Sequence, residues 1–162
     1  MTIIFLDVDG VLNNQKFLNG TKDDIYTDDF TDRDVIDKQL DPENVKNLNK
    51  IISVSQCNVV LSSSWRKFIS LKDFTWGLVK HGMKKEFAKN FISKTPITGK
   101  REEEINEWIK ASKEKIDKYV VIDDSRDKND NLKGFDGKWV KINPKKGLTL
   151  KKADKVINIL TK

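Results

Sequence analysis

Cysteine and histidine are almost missing from this chain: Cys57 and His81 are the only ones among 162 residues. An internal disulfide is impossible, which excludes a secreted disulfide scaffold. A structural zinc site is excluded too, because it needs about four Cys or His ligands. A Ser-His-Asp triad would have to use His81, which precedes Gly82 and reads as a surface residue near a helix end. Cys57, just ahead of the Val59–Leu61 run, reads as a small buried hydrophobe. No apolar stretch approaches the roughly 18 residues needed to span a bilayer. The N-terminus, MTIIFLDVDG, has no basic region and runs straight into acids, unlike a signal peptide. A cytoplasmic protein with no membrane partner is expected.

What is present suits a globule. The length predicts one domain over 1–162, long enough to bury about two-thirds of its unfolded surface. Hydrophobic residues make up 37%, with eight Phe and four Trp, which favours a packed core over disorder. Charge is unevenly spread. Residues 1–44 hold eleven acids and four bases, a net of −7; residues 45–162 hold twenty-seven bases and fourteen acids, a net of +13. A basic body of this kind either attracts phosphate-rich polymers or is simply a solvated lysine surface.

Strand-like and helix-like segments alternate along the chain. Ile3–Val8 is a short run rich in β-branched residues and reads as a buried strand. Asp41 and Pro42 open a helix as N-cap and first residue, continued by Val45, Leu48, Ile51 and Ile52. Asn58–Ser62 is a second strand. A helix is expected over Trp65–Val79, with Phe68, Leu71, Phe74, Leu78 and Val79 facing inward, closing near Gly82. A further strand is expected near Phe91–Ser93. A helix over Glu102–Ile116 follows, then strands Tyr119–Ile122 and Trp139–Ile142. Thr149 caps a last helix with Ala153, Val156, Ile157 and Leu160 inside. This order predicts an α/β fold, a Rossmann-like parallel sheet flanked by helices.

In such sheets ligands bind beyond the carboxyl ends of the strands. The first strand ends at Asp7 and Asp9, the second at Ser62 and the third at Asp123 and Asp124. Two carboxylates ~4 Å apart repel by about 4 kcal/mol at an effective dielectric of ~20. A divalent cation removes that penalty, and a few carboxylates completed by water and phosphate suit Mg²⁺. Gly10 lets the chain turn sharply after Asp9, so the two carboxylates can be aimed differently. One can attack while the other handles a proton.

With these residues in view, FLDVDGVLN resembles the first motif of the haloacid dehalogenase superfamily, VVLSSSWR its second and VVIDDSRD its fourth. SSSWR, KREEEINEWI and INPKKGLT resemble, more closely, the phosphatase-type domain of multifunctional RNA-repair proteins. The phosphatase half of polynucleotide kinase-phosphatases is a more distant likeness. The resemblance covers nearly the whole chain. It implies that Asp7 attacks phosphorus and becomes an aspartyl-phosphate. It implies that Asp9 protonates the leaving oxygen and then activates water. Mg²⁺ would be held by Asp7, the Asp9 carbonyl, and Asp123 or Asp124. Ser62 would bond a phosphoryl oxygen, aided by the Ser63 backbone, although Ser64-x-Arg66 offers a competing arrangement. Arg66 is either a phosphate clamp or a surface residue after a helix start. Lys100 or Arg101 fills the third motif. Asp127 either orients a metal ligand or is a solvated loop acid.

Residues 13–40 stand where the family often inserts a cap. They are too few for a full cap domain, so a small acidic insert and an open site are expected. The resulting reading is a monomeric phosphomonoesterase acting on a phosphorylated substrate, an RNA or DNA 3′-phosphate end. The competing substrate is a small phosphoester or nucleotide. Trp65, Trp76 and Trp139 either stack on bases or sit in the core. An alternative of another class is a non-catalytic receiver-like module that accepts a phosphoryl group.

Overall fold

The computed structural model describes residues 1–20, 38–125 and 132–162. Most of the expected 13–40 insert, and Asp127, lie outside them. The described part of that insert includes a short helix α1 (Gln15–Gly20). Five strands, β1 (Thr2–Leu6), β2 (Asn58–Leu61), β3 (Phe91–Lys94), β4 (Lys118–Asp123) and β5 (Trp139–Lys141), form one sheet. Their order is β3-β2-β1-β4-β5, and every pairing is parallel. Among the described residues no helix is long and apolar enough to cross a membrane.

A parallel sheet covered on both faces needs strands that are apolar throughout, and these strands are. Alternate residues feed two cores. Ile4, Leu6, Val59, Leu61, Val120 and Ile122 face one of them. That side is covered by α2 (Pro42–Ser55), α3 (Leu71–Lys80) and α5 (Leu150–Thr161). Ile3, Phe5, Val60 and Val121 face the other, against Ile105 and Trp108 of α4 (Arg101–Ala111). The Phe5 ring meets Trp108 and Tyr119 edge-on at 5.5 and 6.0 Å, a favourable aromatic geometry.

The helix signals work as anticipated at two starts. The Asp41 carboxylate accepts from the Glu43 N–H ahead of α2, and the Thr149 hydroxyl accepts from the Lys152 N–H ahead of α5. The expected Trp65–Val79 helix is instead broken in two. A 3₁₀ turn over Ser64–Lys67 comes first, and α3 starts only after Ser70, whose side chain caps Asp73. The break has a partner: the Lys94 ammonium donates to the carbonyls of Arg66 and Ile69, groups that a continuous helix would have used itself. Phe68 consequently turns outward and is exposed. The expected Glu102–Ile116 helix ends at Ala111, although Ile116 still packs into the second core.

The β5–α5 connection is pinned from below. Asn44 donates to the carbonyls of Lys146 and Leu148, Asn47 donates to that of Leu148, and the Leu148 N–H donates to Val11 O. Gly147 makes this close approach possible, with φ at +67° and a Cα on which a methyl would overlap the Asn44 carboxamide. Gly147→Ala is therefore expected to destabilise the fold by about 2 kcal/mol, a drop in Tm of roughly 4–8 °C by differential scanning calorimetry.

Candidate functional site

Strand register brings the chemistry together. Leu6 pairs with both Leu61 and Ile122, and Leu61 pairs with Lys94. One residue further on, Thr95, Ser62, Asp7 and Asp123 form a row across four strand ends. Each stands two residues after a side chain facing α4: Ser93, Val60, Phe5 and Val121. Period-two alternation therefore puts all four on the α4 side of the sheet. The backbone continues the ladder through this row, with Asp7 N–H to Ile122 O (3.0 Å), Ser62 N–H to Leu6 O (2.8 Å) and Thr95 N–H to Leu61 O (3.0 Å).

The carboxylates of Asp7, Asp123 and Asp124 are all buried, and each brings one oxygen within 4.8 Å of the others. Burial pushes the Asp7 carboxyl well above its ordinary range, and the Asp123 charge pushes it further. The Arg101 guanidinium and the Val8 N–H, which donates to Asp7 Oδ1 at 2.8 Å, pull the other way. Arg101 Nη1 lies 3.5 Å from Asp7 Oδ1 and 3.1 Å from Asp123 Oδ2. Around Asp123 the backbone is unusual. Ser125 adopts φ +43°, which lets its N–H reach Asp123 Oδ1 at 2.7 Å.

Asp9 sits in the turn beyond β1. Gly10 takes φ +73°, and its N–H donates to Asn13 Oδ1 at 2.8 Å. The Asn13 Nδ2 and the Trp65 Nε1 then both donate to Asp9 Oδ1, at 3.0 and 3.1 Å. The turn is thus closed by side chains that the sequence reading did not assign to it.

The three serines after β2 separate by position. Ser62 lies in the row, and its buried Oγ has no hydrogen-bond partner among the described residues. Ser63 turns its hydroxyl to the Trp65 N–H. Ser64 is exposed at the start of the 3₁₀ turn. Lys100 and Arg101 separate just as clearly. Lys100 is exposed and paired with Glu103, while Arg101, the first residue of α4, reaches the carboxylates.

Arg66 is turned away from this cluster. Its Nε donates to Thr95 O, Nη1 to Ser63 O and Nη2 to Pro96 O. Nη2 also lies 2.6 Å from Glu104 Oε2, with both side chains under 7% exposed. The other Glu104 oxygen accepts from Thr98 and Gly99 N–H. Four of the five guanidinium N–H groups are thus directed at the frame and at Glu104 rather than at the carboxylate cluster. Trp65 is likewise buried and bonded to Asp9, which takes it out of reach of a stacking base, while Trp139 is half-buried against the second core with its N–H directed at Asp123 O. Trp76 is exposed, with the Lys80 ammonium 4.0 Å from its ring centre.

Sequence reasoning missed Thr95, Asn13, Lys94 and Glu104. Thr95 carried a usable signal, since a hydroxyl directly after an apolar strand is the same pattern that singled out Ser62. Its Oγ1 is also buried and unpartnered among the described residues. The Glu104 contact had no local signal, being set by tertiary packing.

Removing one partner of the Arg66–Glu104 pair strands a buried charge. Arg66→Ala is expected to cost about 3–5 kcal/mol in urea unfolding. A surface arginine would cost a small fraction of that.

A model of the HAD (haloacid dehalogenase) domain in Swiss Army Knife RNA repair proteins matches residues 3–153. No match was found among the curated proteins or among the solved structures. Because the family match runs from β1 into α5 and takes in all five strands, the chain belongs to the HAD domains of Swiss Army Knife RNA repair proteins, and it is a phosphatase of the HAD type.

Proposed function

We propose that the chain is a Mg²⁺-dependent phosphomonoesterase that works through an aspartyl-phosphate on Asp7 and acts on a polynucleotide 3′-phosphate end. The observation that carries this reading is the row of Ser62, Asp7 and Asp123 on one side of the sheet end, with Arg101 over it.

The donor set fits the metal. Three buried carboxylates whose oxygens approach within 4.8 Å repel one another, and hard oxygen ligands of this number suit Mg²⁺. Asp7, Asp123, Asp124 and the Asp9 carbonyl would hold it. When bound it supplies charge neutralisation for the phosphoryl oxygens and for the carboxylates themselves.

The residues divide the remaining work. A carboxylate oxygen of Asp7 attacks phosphorus in line. As that O–P bond forms, the bond from phosphorus to the leaving oxygen breaks. Asp9 delivers a proton to that oxygen. Water then attacks the aspartyl-phosphate, Asp9 takes a proton from it, and the Asp7 O–P bond breaks to release phosphate. Arg101 and the Ser62 hydroxyl bind phosphoryl oxygens and disperse their charge. Arg101 is already held at the carboxylates, so it can exchange one anionic partner for another without crossing solvent. Ser63 supports the loop as the cap of its 3₁₀ turn.

The substrate class is supported by the family and by charge. The +13 body includes Lys141, Lys145 and Lys146, in the segment that leaves β5 beside Asp123. A polyanion passing there would meet cations immediately outside the carboxylate cluster.

Turnover of a 3′-phosphorylated oligonucleotide is expected with Mg²⁺ and not with EDTA. It should exceed turnover of the 5′-phosphate or of a mononucleotide, and the advantage should shrink as salt rises. Asp7→Asn is expected to lower kcat by roughly 10³-fold or more; full turnover by this variant would remove Asp7 as nucleophile. A stability measurement gives the converse sign. The Asp7 pKa is raised by folding, so its contribution is favourable below the unfolded value near ~4 and is lost as pH rises through the folded value. In EDTA at pH 7.5, Asp7→Asn is therefore expected to melt above wild type. The gap should close at acid pH, and also when Mg²⁺ is added.

A further inference from the structure

The two oxygens of Asp9 are not equivalent. Oδ1 receives two N–H donors, from Asn13 at 3.0 Å and Trp65 at 3.1 Å. Oδ2 has no hydrogen bond among the described residues. A carboxylate oxygen has two in-plane lone pairs, and two donors fill them.

Both donors are themselves fixed. Asn13 is 2% exposed, and the Gly10 N–H on its Oδ1 determines which way its amide points. Trp65 is also 2% exposed, with its backbone N–H capped by Ser63 and its ring edge-on to Phe74 at 6.3 Å. The indole cannot swing away without emptying part of the core. Its N–H needs an acceptor there, and Asp9 Oδ1 supplies one. The bond also ties the β1 turn to the loop after β2, the two segments that carry Asp7 and Ser62.

We infer that Trp65 and Asn13 are positioning residues for proton transfer by Asp9, saturating Oδ1 so that Oδ2 is the atom that gives the proton to the leaving oxygen and takes it back from water. This rests on the role of Asp9 proposed above. It adds which oxygen acts and what aims it. Trp65 touches no reacting atom in this scheme, and its effect passes entirely through Asp9.

Leaving-group dependence separates this from a general loss of fold. An alkyl phosphate expels a strongly basic oxygen and needs the proton, whereas p-nitrophenyl phosphate expels a weakly basic one and needs it far less. Trp65→Phe keeps an aromatic ring and deletes the N–H. On an alkyl phosphate it is expected to lower kcat/KM about 10- to 100-fold, with kcat carrying the loss and KM nearly constant. The loss of kcat/KM on p-nitrophenyl phosphate should be at least tenfold smaller, since kcat/KM leaves out the later hydrolysis that both substrates share. In an Asp9→Asn background the same substitution should add no further loss on the alkyl substrate.

Should Trp65→Phe fold poorly, benzothienylalanine at position 65 preserves the bicyclic shape with sulfur in place of N–H, and the same pattern is expected. Equal losses of kcat/KM on both substrates, an additive loss beside Asp9→Asn, or no loss from either replacement would overturn the inference. Those results leave the aspartyl-phosphate reading standing provided Asp7→Asn is inactive. An active Asp7→Asn instead sinks that reading, whatever Trp65 does.

Discussion

Three carboxylates share a space from which water is largely excluded, and the fold works against that repulsion. Asp7, Asp123 and Asp124 are buried, and each has an oxygen within 4.8 Å of the other two. At an effective dielectric of ~20, each close pair of full charges opposes folding by several kcal/mol. Arg101 offsets part of this, while burial first and the Asp123 charge second hold the Asp7 carboxyl above its ordinary range. A net penalty of this kind is what the proposed cation would relieve. A site fully neutralised by its own arginine would gain little from a metal or from a phosphoryl group.

Such a penalty is tolerable only on a rigid frame, and the sheet supplies one. The row of polar ends extends the ladder by one residue, so the backbone of Asp7, Ser62 and Thr95 is hydrogen-bonded like that of the strands behind it. Beneath it, two apolar layers occupy both faces. Arg66 and Glu104 brace the same edge from outside. Together they satisfy backbone groups of Ser63, Thr95, Pro96, Thr98 and Gly99, which joins the loop after β2 to the segment leading into α4. Glu104 is one turn beyond Arg101, so this buried pair also sets the helix end that delivers Arg101 to the carboxylates.

The strands and the acids at their ends were legible because both obey local rules. A fully buried parallel strand must be apolar along its length, and it ends where polar residues begin. That is why the run before Asp7, the run before Ser62 and the run before Asp123 could each be read directly. Helix starts at Asp41 and Thr149 were equally legible from caps. The region after Ser62 was not. Trp65, Phe68, Leu71 and Phe74 have helical spacing, yet the Lys94 ammonium claims the carbonyls at the break and Ser70 restarts the helix. Arg66 suggested phosphate by its place near the serines, but its true neighbours lie some 30 to 40 residues further on. Only a folded sheet brings them together. Lys100 and Arg101 could not be separated by sequence because adjacent residues at a helix start point in different directions, and the outcome depends on how α4 docks.

The seven residues Leu61–Lys67 therefore do several jobs in little space. Ser62 offers its hydroxyl to the row, Ser63 caps the turn, Trp65 reaches back to Asp9, and Arg66 anchors outward to Glu104. A helix continuing from Ser64 would rotate each successive side chain by about 100° and could not send Trp65 and Arg66 to these two destinations with the carbonyls still reaching Lys94. The short 3₁₀ turn resolves this by ending after one turn, which leaves the Arg66 carbonyl within it and the Ile69 carbonyl beyond it for the lysine. The interruption that defeats a periodicity reading is thus the feature that lets one loop hold both the inner carboxylate and the outer brace.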